Sequence, residues 1–217
     1  MLSLPFLGTI SASNYLVSIS ANGDQVLVGA FLSLIGAFTC AGIAISLYPV
    51  LRRYNEGLAL GAVGFRLIEA VMYIVGVVGL VLLLALSQQF VKAGAPDTSF
   101  FQTLGAMALA GYHWAAYVGG PIAFSLGALM YYRVFYQTRL VPRWLSAWGL
   151  AGASLCLVAS TLVMFGVIGA VSPLRIILNL PGIGAQEMVL AGWLILRGFN
   201  SPATGYEQPR QMSAYGR

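Results

Sequence analysis

Residues 57–86 read GLALGAVGFRLIEAVMYIVGVVGLVLLLAL, an apolar stretch that carries only two charged side chains, Arg66 and Glu69. The hydrocarbon core of a bilayer is about 30 Å thick, and a helix needs roughly 20 apolar residues to cross it. This stretch is longer than that. Because a helix satisfies its backbone hydrogen bonds internally, it is a form in which an apolar segment can lie in lipid. The stretch therefore predicts a transmembrane helix with two charges inside it.

Four further stretches have the same apolar character and a similar length. They cover residues 26–51, 104–136, 145–171 and 174–196. Together with 57–86 they predict an all-α fold, a polytopic transmembrane helix bundle of about five helices. Two of them contain sequences that disturb helical hydrogen bonding, Gly119-Gly120-Pro121 and Pro181-Gly182. We expect interruptions at these two places.

The composition excludes a water-soluble fold. Of the 217 residues, 59% are hydrophobic and 8% are charged, whereas about a quarter of a soluble domain is charged. The net charge of +5 does not indicate nucleic-acid binding, because the basic residues lie between apolar segments. Cys40 and Cys156 lie inside apolar stretches, so we interpret them as packing residues. We expect membrane lipids to contact most of the outer surface.

The arginines between the stretches predict the topology. Eight basic residues lie near helix ends on one side: Arg52, Arg53, Arg133, Arg139, Arg143, Arg197, Arg210 and Arg217. The other side has Lys92 and Arg175. The positive-inside rule then predicts a cytoplasmic C-terminus. It divides the chain into an extracytoplasmic segment (1–25, with a polar loop at 14–25), the helix bundle (26–199) and a disordered cytoplasmic tail (200–217).

Four ionisable residues lie within or close to the apolar stretches, namely Arg66, Glu69, Arg175 and Glu187. Arg175 is near a helix end, so we expect it to extend to the interface. At 1.5 Å per residue, Arg66 lies about 14 Å and Glu187 about 15 Å from the predicted cytoplasmic ends of their helices. An unpaired charge at mid-bilayer costs at least about 2.5–3.5 kcal/mol. We therefore predict that Arg66, Glu69 and Glu187 meet, and that their two helices are neighbours.

This predicted cluster defines a candidate ligand-binding site. Its members are Arg66, Glu69, Asn179, Gln186 and Glu187. Two carboxylates against one guanidinium leave a formal charge of −1, so we expect a protonated carboxylate, or a cation or ligand donor that completes the set. The sequence Pro181-Gly182 frees backbone groups at the same depth, which protein or a wet cavity must satisfy. The alternative interpretation is that the cluster only joins helices.

Signals for catalysis and for metal binding are weak. His113 is the only histidine, and it is predicted to lie about 33 Å from the cytoplasmic end of its helix, at the outer interface. One histidine does not predict a metal site. The sequence contains no recognisable catalytic triad, phosphate-binding loop or dinucleotide fingerprint. We do not expect an enzyme, and no cofactor is predicted.

Several short motifs, taken together, resemble one membrane protein family. They are LYPVL at 47–51, NEGLALG at 55–61, FRLIE at 65–69, LVPRWLS at 140–146, WG at 148–149, LP at 180–181, QE at 186–187, WLI at 193–195 and GF at 198–199. Over about 14–200 the chain resembles the bacterial family called domain of unknown function 4386. The resemblance implies a multi-pass protein of the bacterial inner membrane and no particular activity. The family usually has six helices, which implies that the helix before 14–25 is reduced to 1–10 or missing here.

Three functions are consistent with these patterns. The first is a membrane module that binds or transports a small amphipathic or cationic ligand at the Arg66, Glu69 and Glu187 cluster. The second is a non-catalytic subunit or assembly factor, held by membrane-protein partners or by copies of itself. The third is an intramembrane enzyme, which the missing nucleophile–base pair disfavours. A cavity that reaches Glu187 would favour the first function over the second.

Overall fold

The computed structural model describes residues 15–94 and 99–200, and the regular structure in these ranges is helical. Helix α1 spans Tyr15–Ala21, α2 spans Gly23–Leu51, α3 spans Glu56–Lys92 and α4 spans Ser99–His113. A π-helical turn, Trp114–Gly119, joins α4 to α5 (Gly120–Thr138), and α6 spans Arg143–Met164. A second π-helical turn, Leu180–Gly184, joins α7 (Pro173–Asn179) to α8 (Ala185–Arg197). The predicted all-α helical bundle is confirmed.

Three of these helices, α2, α3 and α6, are long and apolar enough to cross a membrane. Their outward faces carry large apolar side chains, among them Phe38 at 66% exposure and Leu82 at 60%. Apolar surfaces of this extent mark contact with a membrane or a partner, and the length of the helices matches the hydrocarbon core. The chain is therefore a membrane protein.

The expected interruptions at the glycine–proline sequences are π-helical turns, and the chain remains helical through both. Pro121 has no N–H, so the carbonyl of Tyr117, four residues earlier, has no α-helical donor. The helix widens just before this proline, and the Arg175 guanidinium on α7 donates a hydrogen bond of 2.9 Å to the Tyr117 carbonyl. A side chain from another helix thus satisfies the backbone group that the proline leaves without a donor.

The prediction of a polar loop at 14–25 is wrong, because α1 and the start of α2 occupy most of it. Leu16 and Ile19 lie three residues apart on one face of α1 and are buried, at 2% and 1% exposure. They pack in an apolar cluster with Leu80 and Leu84 of α3. Burial of these two side chains outweighs the weak helix preference of the surrounding serines. Residues 1–14 and 201–217, including the predicted tail, lie outside the described residues.

The helices are arranged as an open arc. Helix α3 packs against α2 on one side and α5 on the other, α5 packs against α6, and α6 packs against the second π-helical turn and α8. Helices α2 and α8 stand at the two ends of this arc, and in the described part of the chain they are not a closely packed pair. We call the side of the bundle between α2 and α8, where side chains of α3 and α5 meet Glu187, the lateral groove.

Candidate functional site

The floor of the lateral groove holds a buried ion pair on α3. Arg66 and Glu69 are three residues apart, so they share one helical face. The Arg66 Nη1 atom donates to Glu69 Oε2 at 2.9 Å, and both side chains are at most 5% exposed. The Arg66 guanidinium also lies 5.0 Å from the ring centroid of Phe124 on α5. The predicted pairing of Arg66 with Glu69 is confirmed, and an aromatic face adds to the stabilisation of the cation.

Two further polar side chains lie beside the Glu69 carboxylate and interact with it. They are Tyr73, one turn later on α3, and Cys40 on α2. Our interpretation of Cys40 as a packing residue missed this contact, because no sequence signal relates position 40 to position 69. Together with Arg66 these groups surround the Glu69 carboxylate with polar contacts, as a buried carboxylate requires.

Glu187 reaches the same cluster from α8. Its Oε1 atom lies 4.0 Å from Arg66 Nη2, and it accepts a hydrogen bond of 3.4 Å from the Tyr131 hydroxyl on α5. The three predicted charges therefore meet. The prediction that α3 and α8 are neighbouring helices is met only by their side chains. The backbone of α8 packs mainly on α6, and the long side chains of Arg66 and Glu187 span the distance between α3 and α8. The Glu187 side chain is 37% exposed, whereas those of Arg66 and Glu69 are at most 5% exposed.

The neighbouring residue, Gln186, turns to the opposite side and is fully buried. Its Oε1 atom accepts a hydrogen bond of 2.5 Å from the Tyr132 hydroxyl, and its Nε2 atom donates to the Leu145 carbonyl at 3.2 Å. Both ends of the Gln186 amide are thus bonded within the protein. Gln186 fixes the rotation of α8 relative to α5 and α6, and it thereby directs Glu187 towards Arg66.

Asn179, the remaining predicted site residue, is at the end of α7. The structure gives it no hydrogen bond to Arg66, Glu69 or Glu187 among the described residues, and its buried Oδ1 atom has no partner there. Asn179 lies one helical turn after Arg175, so it belongs to a different part of the bundle.

A small cavity lies beside the ion pair, between α2, α3 and α5. It offers about 10 Å³ to the centre of a water molecule, which is room for about one water. Its lining residues are Ile43, Ala44, Leu47, Leu51, Ala62, Arg66 and Tyr131. Glu187 is not among them. This cavity therefore does not reach Glu187, whose side chain is only partly exposed.

Arg175 does not extend to the interface as predicted. It is only 7% exposed, and its guanidinium donates hydrogen bonds to the carbonyls of Ala170 and Tyr117. The Tyr117 carbonyl, which lacks its α-helical donor because of Pro121, is one of the two acceptors that hold the guanidinium inside the bundle. Among the described residues, no group of three or more histidine, cysteine, aspartate and glutamate side chains is placed to hold a metal ion.

These features define a class: an α-helical membrane protein with a buried ion pair and a third, partly exposed charge beside it. Within that class the chain belongs to the family described as Domain of unknown function (DUF4386), whose model matches residues 2–198. The match extends further towards the N-terminus than the motifs quoted above. No curated protein and no solved structure matches the chain.

Replacing Tyr132 with phenylalanine tests the anchoring of α8. The ring should stay, because it packs closely against Gly149, but the Gln186 Oε1 atom would lose its donor. We expect the free energy of unfolding to fall by about 1–2 kcal/mol, measured in mixed micelles by denaturant titration. Tyr136→Phe is the matched control, since Tyr136 lies one turn later on α5 and is 41% exposed. An equal effect of the two variants would show that the Gln186 contact does not contribute to stability.

Proposed function

We propose that the protein is a multi-pass cell-membrane protein that binds a small amphipathic cation at Glu187, in the lateral groove. The observation that carries this proposal is the Glu187 side chain, which is 37% exposed and lies about 15 Å from the predicted cytoplasmic end of its helix. A carboxylate at that depth needs a cation, a proton or a hydrogen-bond donor.

The charges of the cluster favour a cation. Arg66 forms its close contact, 2.9 Å, with Glu69 and lies 4.0 Å from Glu187. One guanidinium faces two carboxylates, so the ionised cluster has a charge of −1. The Tyr131 hydroxyl adds a neutral hydrogen bond to Glu187 and does not change this sum. A monovalent cation next to Glu187 would neutralise the cluster.

The surroundings of Glu187 favour a ligand that is also apolar. The side chains that follow it on the outward face of α8 are highly exposed, with Met188 at 75% and Ile195 at 83%. A ligand whose apolar part extends from Glu187 onto this outward face would contact these groups and the acyl chains around them. The small cavity at Arg66 is too narrow for a ligand larger than about one water, so binding is expected at the edge of the groove.

Glu187→Gln should weaken the binding of a lipophilic cation at least tenfold. Two unit charges 4 Å apart interact by about 4 kcal/mol at an effective dielectric constant of 20, and partial exposure reduces this figure. A tenfold loss corresponds to about 1.4 kcal/mol. The measurement is calorimetric titration of the full chain in phosphatidylcholine nanodiscs with tetraphenylphosphonium as the probe.

The control is Glu56→Gln, which removes an exposed carboxylate at the start of α3 and should leave the affinity unchanged. Equal affinities of Glu187→Gln and the wild type would mean that the probe only partitions into lipid, and they would contradict the proposal. Co-purification of a fixed protein that covers Glu187, without probe binding, would favour the alternative of a complex subunit.

A further inference from the structure

Arg175 lies in a second polar region, far from the ion pair on α3. Its guanidinium lies over the ring of Tyr117, 5.0 Å from the centroid, at the π-helical turn that begins with Trp114. Gly76 of α3 packs at the level of this turn, next to Ala115. Glu69, the carboxylate on α3, is seven residues from Gly76, which corresponds to about 10 Å along the helix. The attraction between charges at 10 Å is about two fifths of that at 4 Å, and Glu69 already forms its close ion pair with Arg66.

The buried guanidinium of Arg175 has no counter-ion in the described part of the chain. Two carbonyls, those of Ala170 and Tyr117, accept hydrogen bonds from it. These are neutral acceptors, and the Arg175 Nε–H has no partner among the described residues although the atom is buried. A buried arginine normally pairs with an anion, because an uncompensated charge in low dielectric is costly. Arg175 thus has both a free donor and an unbalanced charge.

Other buried polar atoms without a described partner lie nearby. The Tyr117 hydroxyl is one, and the ring of Tyr117 is in direct contact with the Arg175 guanidinium. His113 Nε2 is another, and the ring centroid of His113 lies 5.5 Å from that of Tyr117. A hydroxyl and a guanidinium both donate to oxygen atoms. Buried polar groups of native proteins are nearly always hydrogen bonded, so unused donors on two side chains that pack against each other indicate a missing acceptor.

We propose that Arg175 and the Tyr117 hydroxyl form a binding site for an oxyanion at the predicted outer end of the bundle. A phosphate group matches the planar fork of an arginine, and its remaining oxygen atoms can accept from the tyrosine hydroxyl. The Tyr117 and Ala170 carbonyls hold the guanidinium in place, and His113 lies beside the site. The phosphate could be that of an anionic lipid or of a free small anion, and both have the same recognition chemistry.

The test measures thermal unfolding of the full chain in nanodiscs. In phosphatidylcholine, added inorganic phosphate should raise the unfolding midpoint if the site accepts a free anion. In nanodiscs with phosphatidylglycerol, the midpoint should be raised without added phosphate if the site accepts a lipid headgroup. A ligand that binds only the folded state stabilises it by RT ln(1 + L/Kd), where L is the concentration of free ligand, so the unfolding midpoint should keep rising as ligand is added. The absence of any increase in both arms would overturn the proposal.

Three variants make the test specific. Tyr117→Phe keeps the ring and the carbonyl that Arg175 contacts, so it should fold, and it should weaken anion binding about fivefold or more. Lys92→Gln removes an exposed positive charge from the same predicted side and should not change the response. Equal responses of Tyr117→Phe and the wild type would overturn the assignment. A higher affinity in Asp97→Asn would also overturn it, because Arg175 would then be balanced by a carboxylate of its own chain.

Discussion

Replacing Arg66 with leucine is expected to lower the free energy of unfolding by about 3–5 kcal/mol, the range typical of breaking a buried ion pair from one side. The substitution removes the only cation within 4.0 Å of either Glu69 or Glu187 in the described part of the chain. Glu69, whose side chain is 2% exposed, would have to remain buried without its counter-ion or take up a proton. The measurement is reversible unfolding in mixed micelles at neutral pH.

Two further variants separate the ion pair from a general effect of an added leucine. Arg53→Leu makes the same chemical change at an exposed position in the turn between α2 and α3, and it should cost less than about 0.5 kcal/mol. The double variant Arg66→Leu/Glu69→Leu should regain much of the lost stability, because it leaves no stranded carboxylate on α3. If Arg66→Leu unfolds like the wild type, the cluster does not stabilise the fold.

The meeting of Arg66, Glu69 and Glu187 could be predicted from the sequence because intramembrane charges leave few choices. Position 66 precedes 69 by three residues, which places both on one helical face. Position 187 lies at the same depth as position 66 by the helical rise. Because the apolar stretches contain so few charges, the arrangement of lowest free energy is the one in which these charges pair with each other. The depth of each charge in the membrane and the helical face that it occupies could therefore be predicted from the residue spacing alone.

Contacts that depend on how the helices rotate about their own axes could not be predicted in this way. The sequence predicts ordinary apolar or interfacial roles for Cys40, Tyr131 and Tyr132, yet each of them interacts with a polar side chain of the site. Buried Arg175 donates to the Tyr117 carbonyl, which has no α-helical donor because of Pro121, and the sequence does not tell which side chain will reach that carbonyl. Helix α1 was missed for a similar reason, since only its packing on α3 shows that Leu16 and Ile19 have a buried face.

The orientation of α8 depends on close contact between α6 and the second π-helical turn. Gly152 on α6 lies directly against the backbone of Gly182, and a Cβ atom at position 152 would overlap the Gly182 carbonyl. Small residues allow helices in membranes to approach this closely. Gly182 precedes Gln186 by one turn, so the contact also fixes the position from which Glu187 reaches Arg66. A change at Gly152 should therefore affect both stability and the candidate site.

Gly152→Val is expected to cost at least about 3 kcal/mol of unfolding free energy, the upper end of the range for overfilled cores. The valine side chain would meet the backbone carbonyl of Gly182, which cannot rotate away as a flexible side chain could. Gly152→Ala should show a smaller loss of the same kind, and both variants should weaken tetraphenylphosphonium binding because α8 is displaced. Gly64→Val is the control, since nothing lies within 4 Å of a Cβ at Gly64, and it should unfold like the wild type. Near-normal stability and binding of Gly152→Val would mean that α8 is not held in place by this contact.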